Sequence, residues 1–283
     1  MKKQAKIQSY IPIVAVVVVI ACAASQLTAY SHAEHAISKQ TSSQTADATV
    51  YFGLKLAVGQ KFGNVFAKIV SYKGGGIDEY ARRIGGSALY EVLDATPERP
   101  RFLLRDRYDG LGSSSTTVES RDSGATYCSG DTGKCQAYLD DSGVAFDAFL
   151  WGHPSGPIVP GMTWKVELPV PWELGPPGTQ LISVVQTDSA NHEVMLKREG
   201  SGDGVFANDQ KQIKVKKDGK EYTVDVTPGS AHWVGYTIFQ NGITISDELV
   251  VTRSLKTSSK EFGSADISER QFTLLNLAPP DLL

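Results

Sequence analysis

The sequence has no excess of basic residues. Its 283 residues include 28 lysines and arginines against 31 aspartates and glutamates, and removal of the leader lysines Lys2, Lys3 and Lys6 leaves 25 basic residues against 31 acidic ones. The body of the protein is therefore mildly acidic, with no basic stripe for the phosphates of a nucleic acid. Nucleic acid is thus excluded from the expected partners.

Catalytic and cofactor motifs are also missing. The chain has no G-x-S-x-G elbow, no H-E-x-x-H, no phosphate-binding loop and no dinucleotide fingerprint. Five histidines are scattered along it, and His153, His192 and His232 do not have the spacing of metal ligands. The sequence therefore predicts no metal and no cofactor, and it favours a non-catalytic protein over an enzyme.

Long apolar runs are limited to one stretch near the N-terminus. Residues 11–24 form a run of 14 apolar or small residues behind the basic start MKKQAK. Such a run after a positive start is typical of an export signal, and it is shorter than the roughly 20 residues of a membrane-spanning helix. The sequence therefore predicts an export signal over residues 1–24 and places residue 40 onward outside the cytoplasm.

The end of this signal is open to three interpretations. Val19-Ile20-Ala21-Cys22 resembles the lipobox of bacterial lipoprotein signals, which implies cleavage before Cys22 and a diacylglycerol on its sulfur. Ordinary signal-peptidase cleavage, at residues 21–23 or 31–33, and an uncleaved anchor are the alternatives. Each places the protein in the bacterial envelope, as a membrane-anchored lipoprotein or as a periplasmic or secreted protein.

Two of the three cysteines, Cys128 and Cys135, close the short loop CSGDTGKC. Their six-residue gap fits neither a CxxC redox motif nor a zinc knuckle, and an extracytoplasmic compartment permits a disulfide bond. On the chain-entropy model so small a ring contributes about 2.5 kcal/mol. The spacing therefore predicts a disulfide that staples a hairpin.

Most of the remaining chain alternates between apolar and polar residues in short runs, separated by Gly, Pro, Asp and Asn. This pattern predicts an all-β protein of about a dozen short antiparallel strands with little helix, arranged as a barrel, a half-barrel or a two-sheet sandwich. Residues 25–50 are polar, small and aperiodic, which is typical of a flexible tether. Residues 51–283 are predicted to form a single β-rich domain, with residues 200–204 and 256–268 as loops.

The clearest hairpin signal is Asn241-Gly242, flanked by alternating apolar residues. Both central positions of a type I′ turn need positive φ, which these two residues tolerate. With this pair as the loop, Ile238 and Ile245 are predicted to form a buried cross-strand pair, and Thr237 lies on the opposite, polar face. Asp247 falls opposite Tyr236 on the core side, where a buried carboxylate needs that hydroxyl or a cation as its partner.

A second hairpin is predicted about Asp218-Gly219. In its register Val215 faces Tyr222, and Gln212 faces Asp225. One face is apolar and the other is complementary in charge, so the pairing is well specified.

Residues 153–178, the Pro-rich crossing, differ from the rest of the chain. Seven of the thirteen prolines fall between Pro154 and Pro177, which excludes a central strand through most of the segment and leaves Thr163–Leu168 as its clean strand. The large apolar residues in and beside it indicate that the crossing packs on a core: Trp151, Met162, Trp164 and Trp172.

Weak candidates for a ligand site lie near this crossing. If Trp151, His153 and Trp172 meet His232 and Trp233 in space, they form an aromatic cleft with titratable groups. The alternative is that the tryptophans fill the core and the histidines lie at strand ends. Three Asp-Ser/Thr-Gly tripeptides, at residues 122, 131 and 141, match the loop of aspartic proteases only in that tripeptide and are ordinary turn formers.

Together these features predict a non-catalytic protein of the bacterial cell envelope, tethered to the membrane or free in the periplasm, that binds a lipid, a glycan or another envelope protein. The most concrete version is a curved sheet whose concave face takes an apolar ligand. The membrane is the further expected partner, reached through a lipid anchor or the N-terminal segment. The alternatives are a secreted hydrolase that uses carboxylates or histidine near the Pro-rich crossing, and a structural surface module.

Overall fold

Antiparallel β-strands account for most of the described chain, as the alternating pattern predicted. The computed structural model describes residues 48–96, 100–110, 112–121, 124–129, 135–138, 144–154, 157–207 and 209–283. The predicted export signal, the candidate lipid-attachment residue Cys22 and nearly all of the predicted tether lie outside these residues, as do most residues of the three Asp-Ser/Thr-Gly tripeptides. The described residues belong to one compact unit.

Helix is scarce. The described residues include two short α-helices, α1 (Ala48–Phe52) and α2 (Ala148–Trp151), with a 3₁₀ turn at Pro280–Leu282. The strands in chain order are β1 (Lys61–Lys73), β2 (Tyr80–Asp94), β3 (Arg101–Tyr108), β4 (Gly112–Arg121), β5 (Gly124–Ser129), β6 (Cys135–Tyr138), β7 (Thr163–Leu168), β8 (Gly178–Asp188), β9 (Glu193–Asp203), β10 (Gln212–Lys217), β11 (Lys220–Gln240), β12 (Ile243–Ser259) and β13 (Gly263–Ala278). The predicted all-β class with little helix is confirmed.

All of these strands belong to one open sheet. Its order is β6-β5-β4-β3-β2-β1-β13-β12-β11-β9-β8-β7, and β10 pairs with β11 beside this path. The first and last strands of the chain are neighbours near the middle, while β6 and β7 form the two edges. The chain travels from one edge to the other through α2 and the start of the Pro-rich crossing. Because the described strands form a single sheet, the two-sheet sandwich, one of the three predicted arrangements, is excluded.

One face of the sheet, the covered face, is packed by α1, α2 and the Pro-rich crossing. Leu150 and Trp151 of α2 and Ile158, Trp172 and Leu174 of the crossing are at most 5% exposed, within the same cluster as the buried residues of β7, β8, β9, β11 and β12. The large apolar residues of the crossing thus hold it on the sheet, because leaving them in water would forgo about 2–3 kcal/mol each.

The hairpin about Asp218-Gly219 forms with the predicted register. β10 and β11 pair Val215 with Tyr222 and Gln212 with Asp225, and Asp218 and Gly219 have φ of 52° and 74°, as a type I′ turn requires. Its apolar face closes a separate buried cluster with Leu255 and Ile267.

The hairpin about Asn241-Gly242 forms with the predicted turn but not with the predicted pairing beyond it. Both turn residues have positive φ, and Gln240 pairs with Ile243. A register shift follows between Ile238 and Phe239, where β12 holds one residue more than β11. This bulge places Asp247 opposite Thr237 rather than Tyr236.

The prediction of a buried Ile238–Ile245 pair is therefore wrong. Thr237 and Phe239 are each 1% exposed on the covered face, whereas Ile238 and Ile245 are only partly buried. The reason is that β11 carries large apolar residues on both faces, so alternation alone does not identify the face that meets the core.

The two predicted loops at residues 200–204 and 256–268 are largely strand. β9 runs to Asp203, β12 to Ser259 and β13 starts at Gly263. The glycines of β9 are required by packing: a Cβ on Gly200 would lie 2.5 Å from the Trp233 ring. The glycine content of this stretch suggested a loop, but the absence of a side chain at Gly200 makes room for the buried Trp233.

Candidate ligand-binding cavity

The covered face contains a cavity of about 400 Å³ beside the core that the crossing covers. It lies between β1, β2, β3, β4, β12 and β13 on one side and Glu173 and Leu174 of the crossing on the other. Its volume falls within the range of about 300–1,000 Å³ that is typical of small-molecule sites. Apolar side chains form much of the wall: Phe66, Ile84, Leu104, Tyr108, Leu174 and Leu275.

Small residues on β2 leave room for this cavity. Gly86 and Ala88 occupy the positions of β2 that pair with Phe66 and Asn64 of β1. A Cβ on Gly86 would lie 2.7 Å from Cζ of Phe66 and 2.2 Å from the Arg107 carbonyl oxygen. The Phe66 ring therefore lies on bare backbone, where it also meets Tyr108 edge to face with ring centroids 5.4 Å apart.

The cavity has a closed end and an open end. Beyond Asn64 the face is filled by aromatic rings, since Phe62 stacks on Tyr90 at 5.3 Å and meets Phe102 edge to face at 5.8 Å. At the other end Tyr108 is 39% exposed. The cavity is therefore closed at the rings, and Tyr108 borders its more exposed end.

Two polar atoms in the wall have no hydrogen-bond partner in the described part of the chain. They are Oδ1 of Asn64, a residue that is 4% exposed, and Oγ1 of Thr273. Both residues line the cavity. A buried polar atom left in this state costs about 1–3 kcal/mol, and both atoms are themselves shielded from solvent.

Asp247, one of the residues that line the cavity, forms a buried ion pair with Arg198. Nη2 of Arg198 donates to both carboxylate oxygens of Asp247, at 3.1 and 3.0 Å, and the Thr237 hydroxyl donates to the same carboxylate. Arg198 is 0% and Asp247 5% exposed, and the guanidinium lies 4.9 Å from the Trp151 ring centroid and 5.8 Å from that of Trp172. Asp247 therefore has a cation as a partner, one of the two kinds of partner predicted for it, and Arg198 of β9 supplies that cation.

Sequence reasoning missed Arg198, although β9 carries a signal for it. Val194 and Leu196 alternate along the buried face of β9, and Arg198 occupies the next position of that face. A charged residue at an apolar position of a strand needs a buried counter-charge. Asp247, already identified as a core-side acid, was the candidate.

A second buried network lies further along β12 and β13. Arg253 donates to both oxygens of Asp209 at 2.6 Å and to those of Glu269 at 3.1 Å, and its guanidinium lies 3.9 Å from the Phe206 ring centroid. Burial and the neighbouring Glu269 carboxylate raise the pKa of Tyr72 well above its usual value. These contacts fasten Phe206 and Asp209 to the sheet and are structural.

The structure brings together the predicted tryptophans but not the predicted histidines. Trp172 meets Trp233 edge to face at 5.6 Å, and Arg198 links Trp151 to Trp172. His153 and His232 are exposed, outside this group. The tryptophans fill the core beside the cavity, and titratable chemistry from the histidines is not part of it.

The two cysteines face each other across a strand pair. The register of β5 and β6 places Cys128 directly opposite Cys135. Directly opposed Cα atoms of antiparallel strands lie about 4.5–5.5 Å apart, within the range that a disulfide spans. The bond stays a prediction. Thiol labelling of the purified protein without reductant should find neither cysteine free, and labelling of both would contradict it.

No protein-family model matches this chain, and no curated protein matches it. Among the described residues, no group of three or more His, Cys, Asp or Glu side chains is placed to hold a metal ion. The helices that the structure describes are all too short or too polar to cross a membrane. The cavity is therefore the feature from which a function can be argued.

Proposed function

We propose that this protein is a non-catalytic domain of the bacterial cell envelope that binds an amphipathic small molecule, such as a lipid, in the cavity of its covered face. The observation that carries the proposal is the cavity itself. It is about 400 Å³ in volume, and its walls are largely apolar with a few polar side chains among them.

The apolar wall supplies the driving force. Phe66, Leu104, Leu174 and Leu275 come from four separate elements and face one space. A ligand chain that covers them removes apolar surface from water at both partners, at about 25 cal/mol per Å². An apolar chain is therefore the part of the ligand that holds it in place, and the polar atoms orient it.

The Asp247 carboxylate in the wall supports binding rather than hydrolysis. Both of its oxygens accept from Arg198. A carboxylate fixed in this way by charge-assisted hydrogen bonds is a poor general base, because taking up a proton would break those bonds.

The envelope location rests on the N-terminal sequence. If the lipobox-like segment is used, Cys22→Ser should release the protein from membranes or leave a larger precursor, because the sulfur that carries the lipid is missing. Membrane fractionation and the mass of the mature protein measure this. Processing to the same size with unchanged partitioning would show that ordinary cleavage or an uncleaved anchor operates instead.

A pair of neighbouring threonines on β4 tests the cavity. Thr116 lines it and Thr117 does not, because successive residues of a strand point to opposite faces; both are partly buried. Thr116→Trp should fill the space and weaken binding of an apolar fluorescent probe, N-phenyl-1-naphthylamine, at least about tenfold, which corresponds to about 1.4 kcal/mol. Thr117→Trp adds the same volume on the other face and should leave the affinity near that of the wild type. Equal effects of the two changes would contradict a site in the cavity.

A further inference from the structure

We infer that two copies of this chain associate through the open face of the sheet, the face opposite to the cavity, about a two-fold axis that lies between β12 and β13. This surface is separate from the proposed ligand site, so either proposal can fail without the other. The contact is carried by the open patch, which consists of six apolar residues on β1, β11, β12 and β13: Val65, Ile69, Val234, Ile238, Val250 and Phe272.

The open patch is apolar and accessible. Val65, Ile69 and Val234 are 43, 38 and 39% exposed, and the other three residues are partly buried. Along β11 and β12 they alternate with buried residues of the covered face. The central strands thus carry apolar side chains on both faces, and an exposed apolar surface of this kind marks a place where a partner binds.

The strand registers arrange the open patch in rows with charged ends. The longest row crosses six strands in the order Arg83, Ile69, Phe272, Val250, Val234 and Glu199. Its two end residues are exposed, and Glu199 also meets Lys197 of its own chain at 2.8 Å. The row therefore has a positive end on β2, a negative end on β9 and an apolar centre between β13 and β12.

A two-fold axis parallel to the strands, through the centre of this row, makes the face complementary to itself. The axis reverses the row, so that Phe272 meets Val250 of the second copy and Arg83 meets Glu199 of the second copy. Each contact then occurs twice, as in every isologous interface. The next row but one follows the same rule, since Val65 and Ile238 are equally far from the axis on its two sides.

The twist of the sheet leaves the charged contacts within reach. Two sheets packed face to face are rotated by about 30° relative to one another. The ends of the row lie about 12 Å from the axis, which is 2.5 strand spacings, so a rotation of about 30° shifts Arg83 by about 6 Å from Glu199 of the second copy. The long side chains of arginine and glutamate can span this shift.

The signs of the charges favour a second copy over other partners. A two-fold axis perpendicular to the strands would place Arg83 on Arg83. An anionic membrane would attract Arg83 but repel Glu199 and Glu248, which is two residues from Val250 on the same face of β12. Burial and the Asp247 carboxylate raise the pKa of Glu248, which makes its neutral form easier to reach inside an interface.

The face is large enough for a dimer. Six strands at a spacing of about 4.8 Å are about 29 Å wide, and six residues along each strand cover about 20 Å. Two such faces bury about 1,200 Å² in total, which is at the lower limit of the standard interface and above the roughly 1,000 Å² expected of a specific one.

Sedimentation equilibrium of the purified protein measures the association. The wild type should form a dimer, and Val234→Asp should raise its Kd at least about tenfold, because a charge enters the apolar row. Val170→Asp is the matched control, since Val170 is 40% exposed in the Pro-rich crossing, and it should associate like the wild type. A monomeric wild type, or equal effects of the two changes, would overturn the inference. So would a monomer that cosediments with phosphatidylglycerol vesicles unless Val234 is replaced, which would assign the open face to a membrane.

A charge exchange tests the arrangement about the axis without touching the apolar row. Arg83→Glu and Glu199→Arg each place like charges together at both ends of the interface, and each should raise the dimer Kd at least about tenfold. Both residues are exposed, so the fold is retained. The double variant restores opposite charges and should return Kd to within about threefold of the wild type. A double variant as weak as the single ones would overturn the two-fold arrangement.

Discussion

Arg198→Met is expected to destabilise the protein by about 3–5 kcal/mol, because it leaves Asp247 as a buried charge without its cation. Asp247 is 5% exposed and would keep only the Thr237 hydroxyl of its described partners. Methionine retains an unbranched apolar chain to lie between Trp151 and Trp172, so the loss comes chiefly from the charge. Urea unfolding measures the change, as a fall in the midpoint at an unchanged slope.

Two further variants separate the ion pair from general disturbance of β9. Lys197→Met alters the next residue, whose ion pair with Glu199 at 2.8 Å lies on the surface, and it should cost less than about 1 kcal/mol. The double change Arg198→Met with Asp247→Leu removes both charges and should recover much of the loss, because paired apolar replacements of a buried ion pair are often near neutral. Equal destabilisation by Arg198→Met and Lys197→Met would contradict the buried pair.

Phe239→Ala is expected to cost about 3–5 kcal/mol in the free energy of unfolding, as buried phenylalanines do when truncated. The ring is 1% exposed and meets Trp151, Phe146 and Phe52 edge to face, with centroids 5.2, 5.6 and 6.0 Å away. Its removal leaves a cavity where three aromatic neighbours converge.

The adjacent residue is the control for this prediction. Ile238 lies on the opposite face of β11 and is only partly buried, so Ile238→Ala should cost about 1 kcal/mol, less than the roughly 2–5 kcal/mol of a fully buried isoleucine. A larger loss for Ile238→Ala than for Phe239→Ala would mean that the unshifted register, with Ile238 and Ile245 as a buried pair, is correct after all.

The strands and turns were predictable because their signals are local. Thr163–Leu168 forms a strand with the predicted bounds, since prolines flank a short β-type run there. Asp218-Gly219 and Asn241-Gly242 form the predicted turns because few other residues tolerate positive φ in succession.

The bulge beyond Asn241-Gly242 was not predictable from alternation. It depends on which face of β11 meets α1 and α2, and that choice is made by packing rather than by the order of apolar and polar residues. The alternating pattern predicted Thr237 on the polar face. In the structure it is buried, and its hydroxyl donates a hydrogen bond to the Asp247 carboxylate.

The cavity was not predictable from any one segment. Phe66, Leu104 and Leu275 reach it from β1, β3 and β13. β1 and β13 are far apart in the sequence and become neighbours only in the folded sheet. The sequence did indicate a concave face for an apolar ligand as one hypothesis. It placed the ligand among the tryptophans, whereas those side chains are core and the cavity lies beside them.

The central claim is tested most directly by mass spectrometry of an organic extract of the protein, purified from cells that export it. The account predicts a co-purifying amphiphile with an acyl or alkyl chain, close to one per molecule in the wild type and in Thr117→Trp. In Thr116→Trp its amount should fall at least about tenfold, in line with the loss of affinity expected from a filled site. Extracts that hold no such molecule, or that hold it equally in Thr116→Trp, would contradict a lipid site in the cavity.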